Sequence, residues 1–119
     1  MADAGLFIGW GAPVRGREAK GLVVFNDARR WYEDQQSAGA IESFEVVLLG
    51  PHGGDLYGFF LLRGSEDQVD ALRRDDEFQR LHTRAGLIVE RLGIVPVSLE
   101  AGLGRALGAY QEAVIELAG

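Results

Sequence analysis

The chain has 119 residues, 47% of them hydrophobic and 25% charged, which is enough for one domain with a core of its own. Its net charge of −6 argues against nucleic-acid binding, because phosphate binders carry basic surfaces. It has no cysteine, which excludes disulfides, thiolate metal sites and cysteine nucleophiles. The start, MADAGLF, lacks a basic region followed by an apolar one, so no signal peptide is expected. No apolar run reaches the ~20 residues of a membrane span. A cytoplasmic protein without a membrane partner is the expectation.

In chain order, Leu6 to Gly11 reads as a first strand. Leu6, Ile8 and Trp10 share one face; Phe7, Gly9 and Gly11 share the other. Two glycines on one face leave room for a close approach, such as a bulky side chain from a helix. The loop from Ala12 to Lys20 carries Arg15 and Arg17 and precedes a helix over about Lys20 to Ala38. Gly21, Val24, Phe25, Ala28, Trp31, Tyr32 and Gln35 make its apolar stripe. Gly39 is a suitable left-handed stop.

Ile41 to Gly64 places two apolar runs around Gly-Pro-His-Gly-Gly, a hairpin pattern. A five-residue loop pairs Phe44 with Phe60 and Leu48 with Leu56. A four-residue loop pairs Phe44 with Leu61 and Leu48 with Tyr57. Both registers give an apolar face. Both strands are apolar on both parities, so both faces of this sheet need cover.

Ser65-Glu66-Asp67-Gln68 matches a capping box and opens a short helix. Asp75 or Asp76 then caps a second segment. Phe78, Leu81, Ala85, Ile88, Val89 and Leu92 predict a helix ended by Gly93. Ile94 to Glu100 is a last strand, placed at an edge by Pro96. Leu103, Leu107, Tyr110, Val114 and Leu117 mark a final helix over about 101–118.

The order is strand, helix, strand, strand, helix, strand, plus a terminal helix. Right-handed crossovers put the first and third strands in the centre and both helices on one face. Glu45 on the second strand and Pro96 on the fourth suit edges. The fold class is therefore α+β: a ferredoxin-like βαββαβ antiparallel four-stranded sheet in one domain, with a core over about 6–99. The bare face would be a large apolar patch, and a second copy is its most economical cover.

The layout over Leu6 to Leu99 resembles the dimeric α+β barrel superfamily, a branch of ferredoxin-like folds. That superfamily includes antibiotic-biosynthesis-type monooxygenases, muconolactone-isomerase-like proteins and YCII-like proteins. The resemblance implies a homodimer through the sheet face and a ligand pocket between sheet and helices. No motif of a named enzyme branch is matched, so it carries no catalytic residue across.

Two histidines are present. His52 falls in the hairpin turn, where an exposed polar residue is ordinary. His82 borders the buried face of its helix and is the candidate acid or base. Trp10, Trp31, Tyr57, Phe59 and His82 are the candidate pocket residues, with plain core as the competing reading. Glu45, Asp55 and Arg63 are the polar groups by the hairpin.

Arg15 and Arg17, ahead of a helix N-terminus, are the candidate anion ligands. Their stretch, VRGREAKGLVVF, resembles the phosphate loop of acylphosphatases. That family also needs an asparagine on the second strand, and the only one here is Asn26. No metal site and no cofactor is expected. Two functions follow: a homodimer that binds a small apolar or aromatic ligand or serves as an assembly module, and a cofactor-independent monooxygenase or isomerase.

Overall fold

The computed structural model describes residues Ala2 to Ala118. Its elements are β1 (Ala4–Trp10), α1 (Glu18–Ser37), β2 (Ser43–Leu48), β3 (Gly58–Gly64), α2 (Glu66–Arg74), α3 (Asp76–Gly86), β4 (Gly93–Ser98) and α4 (Glu100–Ala118). The strands form one antiparallel sheet in the order β2-β3-β1-β4. The two uninterrupted apolar strands are central. The strands bearing Glu45 and Pro96 are the edges.

Alternation on the central strands sorts the sheet into two faces. Leu6, Ile8, Phe60 and Leu62 are buried beneath the helices. They meet Val24, Ala28 and Tyr32 of α1, Val69 and Leu72 of α2, and Phe78 and Leu81 of α3. The other face shows Phe7, Phe59, Leu61, Val47 and Val97, all half-buried. The Phe7 and Phe59 rings lie 4.9 Å apart there. The Arg63–Glu45 ion pair, at 2.8 Å, flanks them.

Local signals fix most element ends. Ser65 Oγ accepts from the Gln68 amide at 3.1 Å, and Gln68 Oε1 accepts from the Ser65 amide at 2.8 Å. Such a box holds its helix by about 1 kcal/mol. Asp75 both ends α2 and caps α3, its carboxylate accepting from the Glu77 and Phe78 amides. Gly39 follows α1 with φ +80°.

Three expectations need correction. The hairpin follows neither anticipated register: Phe44 faces Leu62, Val46 faces Phe60 and Leu48 faces Gly58. The Leu49 amide then donates to the Tyr57 carbonyl at 2.9 Å, which lengthens the loop. The His52 side chain shapes that loop: its Nε2 lies 2.7 Å from the Leu56 carbonyl oxygen, and its Nδ1 accepts from the Gly54 amide. Second, α3 stops at Gly86 rather than at Leu92. Ile88 and Glu90 bond instead to the loop after β1, through Val14 N–H to Ile88 O and Glu90 N–H to Ala12 O, both 2.8 Å. Third, no helix fills the room at Gly9. A Cβ there would meet the Phe7 ring and Leu56.

The terminal helix is set apart. Its contacts are chiefly with β4. It is tethered at its start, where Arg105 donates to Asp3 at 2.7 Å and the Leu99 amide donates to the Asp3 carbonyl at 3.0 Å. The guanidinium holds the Asp3 carboxyl below its ordinary range. Gly102 is required there, because a Cβ would lie 2.0 Å from the Asp3 carbonyl oxygen. Beyond that turn α4 is almost wholly exposed.

Candidate functional site

A hollow of about 500 Å³ opens between the sheet and the helices α1 and α3. The sheet supplies Ile8, Trp10 and Phe60, which project toward the helices by strand parity. The helices line it with Leu22, Val24, Phe25 and Leu81, and with the small residues Gly21, Ala28 and Ala85, which leave room between the larger ones. Ile88 and Val89 close one side because the chain has left α3 and runs back along the loop after β1. The mouth is apolar and exposed at Leu22, Leu48 and Tyr57, with Glu18 beside them.

The floor holds the main polar feature. Tyr32 Oη and His82 Nε2 are 2.7 Å apart, and His82 Nδ1 lies 2.6 Å from the Phe78 carbonyl oxygen. A carbonyl only accepts, so Nδ1 carries the proton and Nε2 accepts the Tyr32 hydroxyl. Burial pushes the His82 pKa down, opposed by its bond to the Phe78 carbonyl. Burial pushes the Tyr32 phenol up. Both groups are thus neutral near pH 7, and both ring nitrogens are engaged. The pair packs among aromatics, with Tyr32 edge-on to Phe60 at 4.9 Å and Phe78 at 4.1 Å from His82.

The structure brings Trp10, Tyr57 and His82 together around this hollow. It does not bring Phe59 or Trp31. Phe59 is one residue out of phase with Phe60 and stands on the opposite face of the sheet. Trp31 lines a separate hollow of about 130 Å³ with Asp27, Glu77, Arg80 and Arg84. Its position on α1 turns it toward the outer side of α3. Arg15 and Arg17 are exposed in the loop before α1. Asp55 pairs with Arg91 at 3.6 Å, away from the floor. Among the described residues, no three His, Asp or Glu side chains converge as metal ligands. Nor is any helix long and apolar enough to cross a membrane.

The tyrosine–histidine bond is the feature that sequence reasoning missed. Its partners are 50 residues apart. Each sat on a recognised helical stripe, but no local spacing joins them.

No protein-family model matches the chain, and no curated protein matches it. Among solved structures it is similar to a dimeric protein of unknown function with a ferredoxin-like fold from Bacteroides fragilis. The TM-score is 0.59 at 16% identity, over 81% of this chain and 96% of that one. The fold is ferredoxin-like. In ferredoxin-like terms, the hollow lies between the sheet and the two crossover helices, at the end where β1 finishes and β3 begins.

Proposed function

We propose that this protein is a homodimer that binds a small, uncharged, apolar or aromatic molecule in the hollow between sheet and helices. The observation that carries the reading is the hollow itself. Protein interiors close to a packing density of about 0.74, with few voids larger than a water. A space of about 500 Å³ lies within the range of ligand pockets. Its floor offers no charged group and no unengaged histidine nitrogen, so it favours a neutral ligand. The Trp10 indole N–H and the Tyr57 hydroxyl carry no partner among the described residues and are available for one polar group on that ligand.

The dimer is supported by the half-buried aromatic face around Phe7 and Phe59, and by the dimeric state of the Bacteroides fragilis protein. A second copy laid on that face removes apolar area from water.

The test is titration with the neutral dye N-phenyl-1-naphthylamine, whose emission rises in apolar surroundings. Saturable enhancement at one site per chain is expected. Ala85→Trp, which fills the hollow from the α3 side, is expected to weaken it by about tenfold or more. Dye binding that is absent, or untouched by Ala85→Trp in a folded protein, rules the reading out.

A second reading, catalysis without a cofactor, has one observation in its favour: His82 borders the hollow. The imidazole could take a proton from a ligand only after Tyr32 turned its hydroxyl away from Nε2. The closed hydrogen-bond chain therefore ranks this reading second.

A further inference from the structure

We infer that α4 pairs with α4 of a second copy of this chain. Leu103, Leu107, Tyr110, Val114 and Leu117 recur at spacings of four and three, the period of a helix-to-helix seam. All five are exposed, from 48% at Leu103 to 85% at Leu117. Arg105 lies on the opposite side of the helix and is bonded to Asp3 of its own chain, so the seam is turned outward.

The charge pattern suits a like partner. Glu112 and Glu116 share the far side with Arg105, at helical spacing. The residues flanking the seam, Gly104, Ala106, Gln111 and Ala113, are small or uncharged. Glu100, three residues before Leu103, is the one charge in register with the seam, and an antiparallel pairing centred on Tyr110 sets it beyond the partner's Leu117, so no like charges meet. The five side chains expose on the order of 500 Å² per copy, over half of the ~800 Å² per partner in a standard interface. A 19-residue helix with a bare apolar stripe also gains most of its stability from such packing.

The inference does not depend on the hollow or on pairing through the sheet. Tyr110 is the middle residue of the five, so it meets its own counterpart whether the helices run parallel or antiparallel in register. The chain has no cysteine, so one introduced thiol reports alone. Under mild oxidation, Tyr110→Cys is expected to form a covalent dimer at least about tenfold faster than Glu112→Cys on the far side.

Leu107→Glu with Val114→Glu, added to Tyr110→Cys, is expected to abolish the cross-link while the sheet domain stays folded, read by the fluorescence of Trp10 and Trp31, which both pack on its core. Both positions are exposed in the single chain. Phe59→Asp is expected to leave the cross-link in place, which separates this contact from pairing through the sheet. Equal rates at the two cysteine positions, or a cross-link that survives the glutamates, overturn the inference. So does a dimer by sedimentation that fails to cross-link at 110, since α4 then sits elsewhere on its partner.

Discussion

Tyr32→Phe probes the floor of the hollow with the loss of one oxygen. The ring stays, so its packing against Phe60 at 4.9 Å and Phe44 at 5.8 Å is kept. The Tyr32 hydroxyl, 2.7 Å from His82 Nε2, is lost. Nε2 cannot become a donor instead, because the Phe78 carbonyl holds the proton on Nδ1. A buried acceptor is left unpaired, at a cost of about 1–3 kcal/mol. With a urea slope of about 1–3 kcal/mol per molar for a small domain, the midpoint falls by roughly 1 M. Urea unfolding followed by far-ultraviolet circular dichroism reads this directly. Tyr57→Phe is the control: that side chain is half exposed, and its loss is expected to cost under about 0.5 kcal/mol. Pairing Tyr32→Phe with His82→Gln in a double-mutant cycle is expected to show coupling of about 0.5–3 kcal/mol. An unchanged midpoint in Tyr32→Phe, or the same loss in both tyrosine variants, refutes the closed hydrogen-bond chain on which the neutral-ligand reading rests.

His82 also sets a pH dependence. Its folded pKa lies below the ordinary 6.5 that unfolding restores, so the unfolded chain takes up the proton first. Stability is whole above about pH 6.5 and falls as the pH drops toward the folded pKa, by at most about 1.4 kcal/mol per unit. Urea midpoints at about pH 7.5 and 5.5 measure it; a flat profile, or an equal loss in His82→Gln, contradicts the assignment. Phe59→Asp sets a charge on the half-buried sheet face beside Phe7 and is expected to yield separate sheets by small-angle scattering while dye binding in the hollow persists. A scattering profile identical to the wild type's would remove the sheet face as an interface. Gly102→Ala is expected to displace the start of α4 and speed hydrogen exchange at Leu99, because the new Cβ would lie 2.0 Å from the Asp3 carbonyl oxygen. Gly104→Ala, with open space around it, is expected to raise stability by up to about 1 kcal/mol. Equal effects from the two alanines would show that the tether at Asp3 does not position the helix.

The parts of this fold that the sequence announces are those set by one or two neighbouring residues. Glu45 and Pro96 mark edges because an edge strand tolerates a charge or a missing donor. Ser65 with Gln68, and Asp75 alone, mark helix starts because each can satisfy orphan amides within reach. What stayed hidden depends on groups brought together by folding. The hairpin loop is longer than the turn patterns suggest and carries two hydrogen bonds of the His52 ring, which no turn rule anticipates. The end of α3 was misplaced for a related reason. Ile88, Val89 and Leu92 keep helical spacing, yet they are apolar because they wall the hollow from the turn and loop that follow α3. Burial demands the same residue types in either conformation, so periodicity alone cannot tell them apart.

The hollow itself was half visible. Gly21 and Ala28 stood on the apolar stripe of α1 among large residues, where a packed core would call for bulk. Opposite them the sheet offers Trp10 and Phe60, held 5.4 Å apart and braced by Phe25 at 5.8 Å from the indole. The ladder places Phe60 between Val46 and Ile8, and Phe25 of α1 packs 5.4 Å from its ring. Gly21, Ala28 and Ala85 on the helices face these packed rings across the space. A single enlargement at Ala85 is the most economical way to learn whether that emptiness is used.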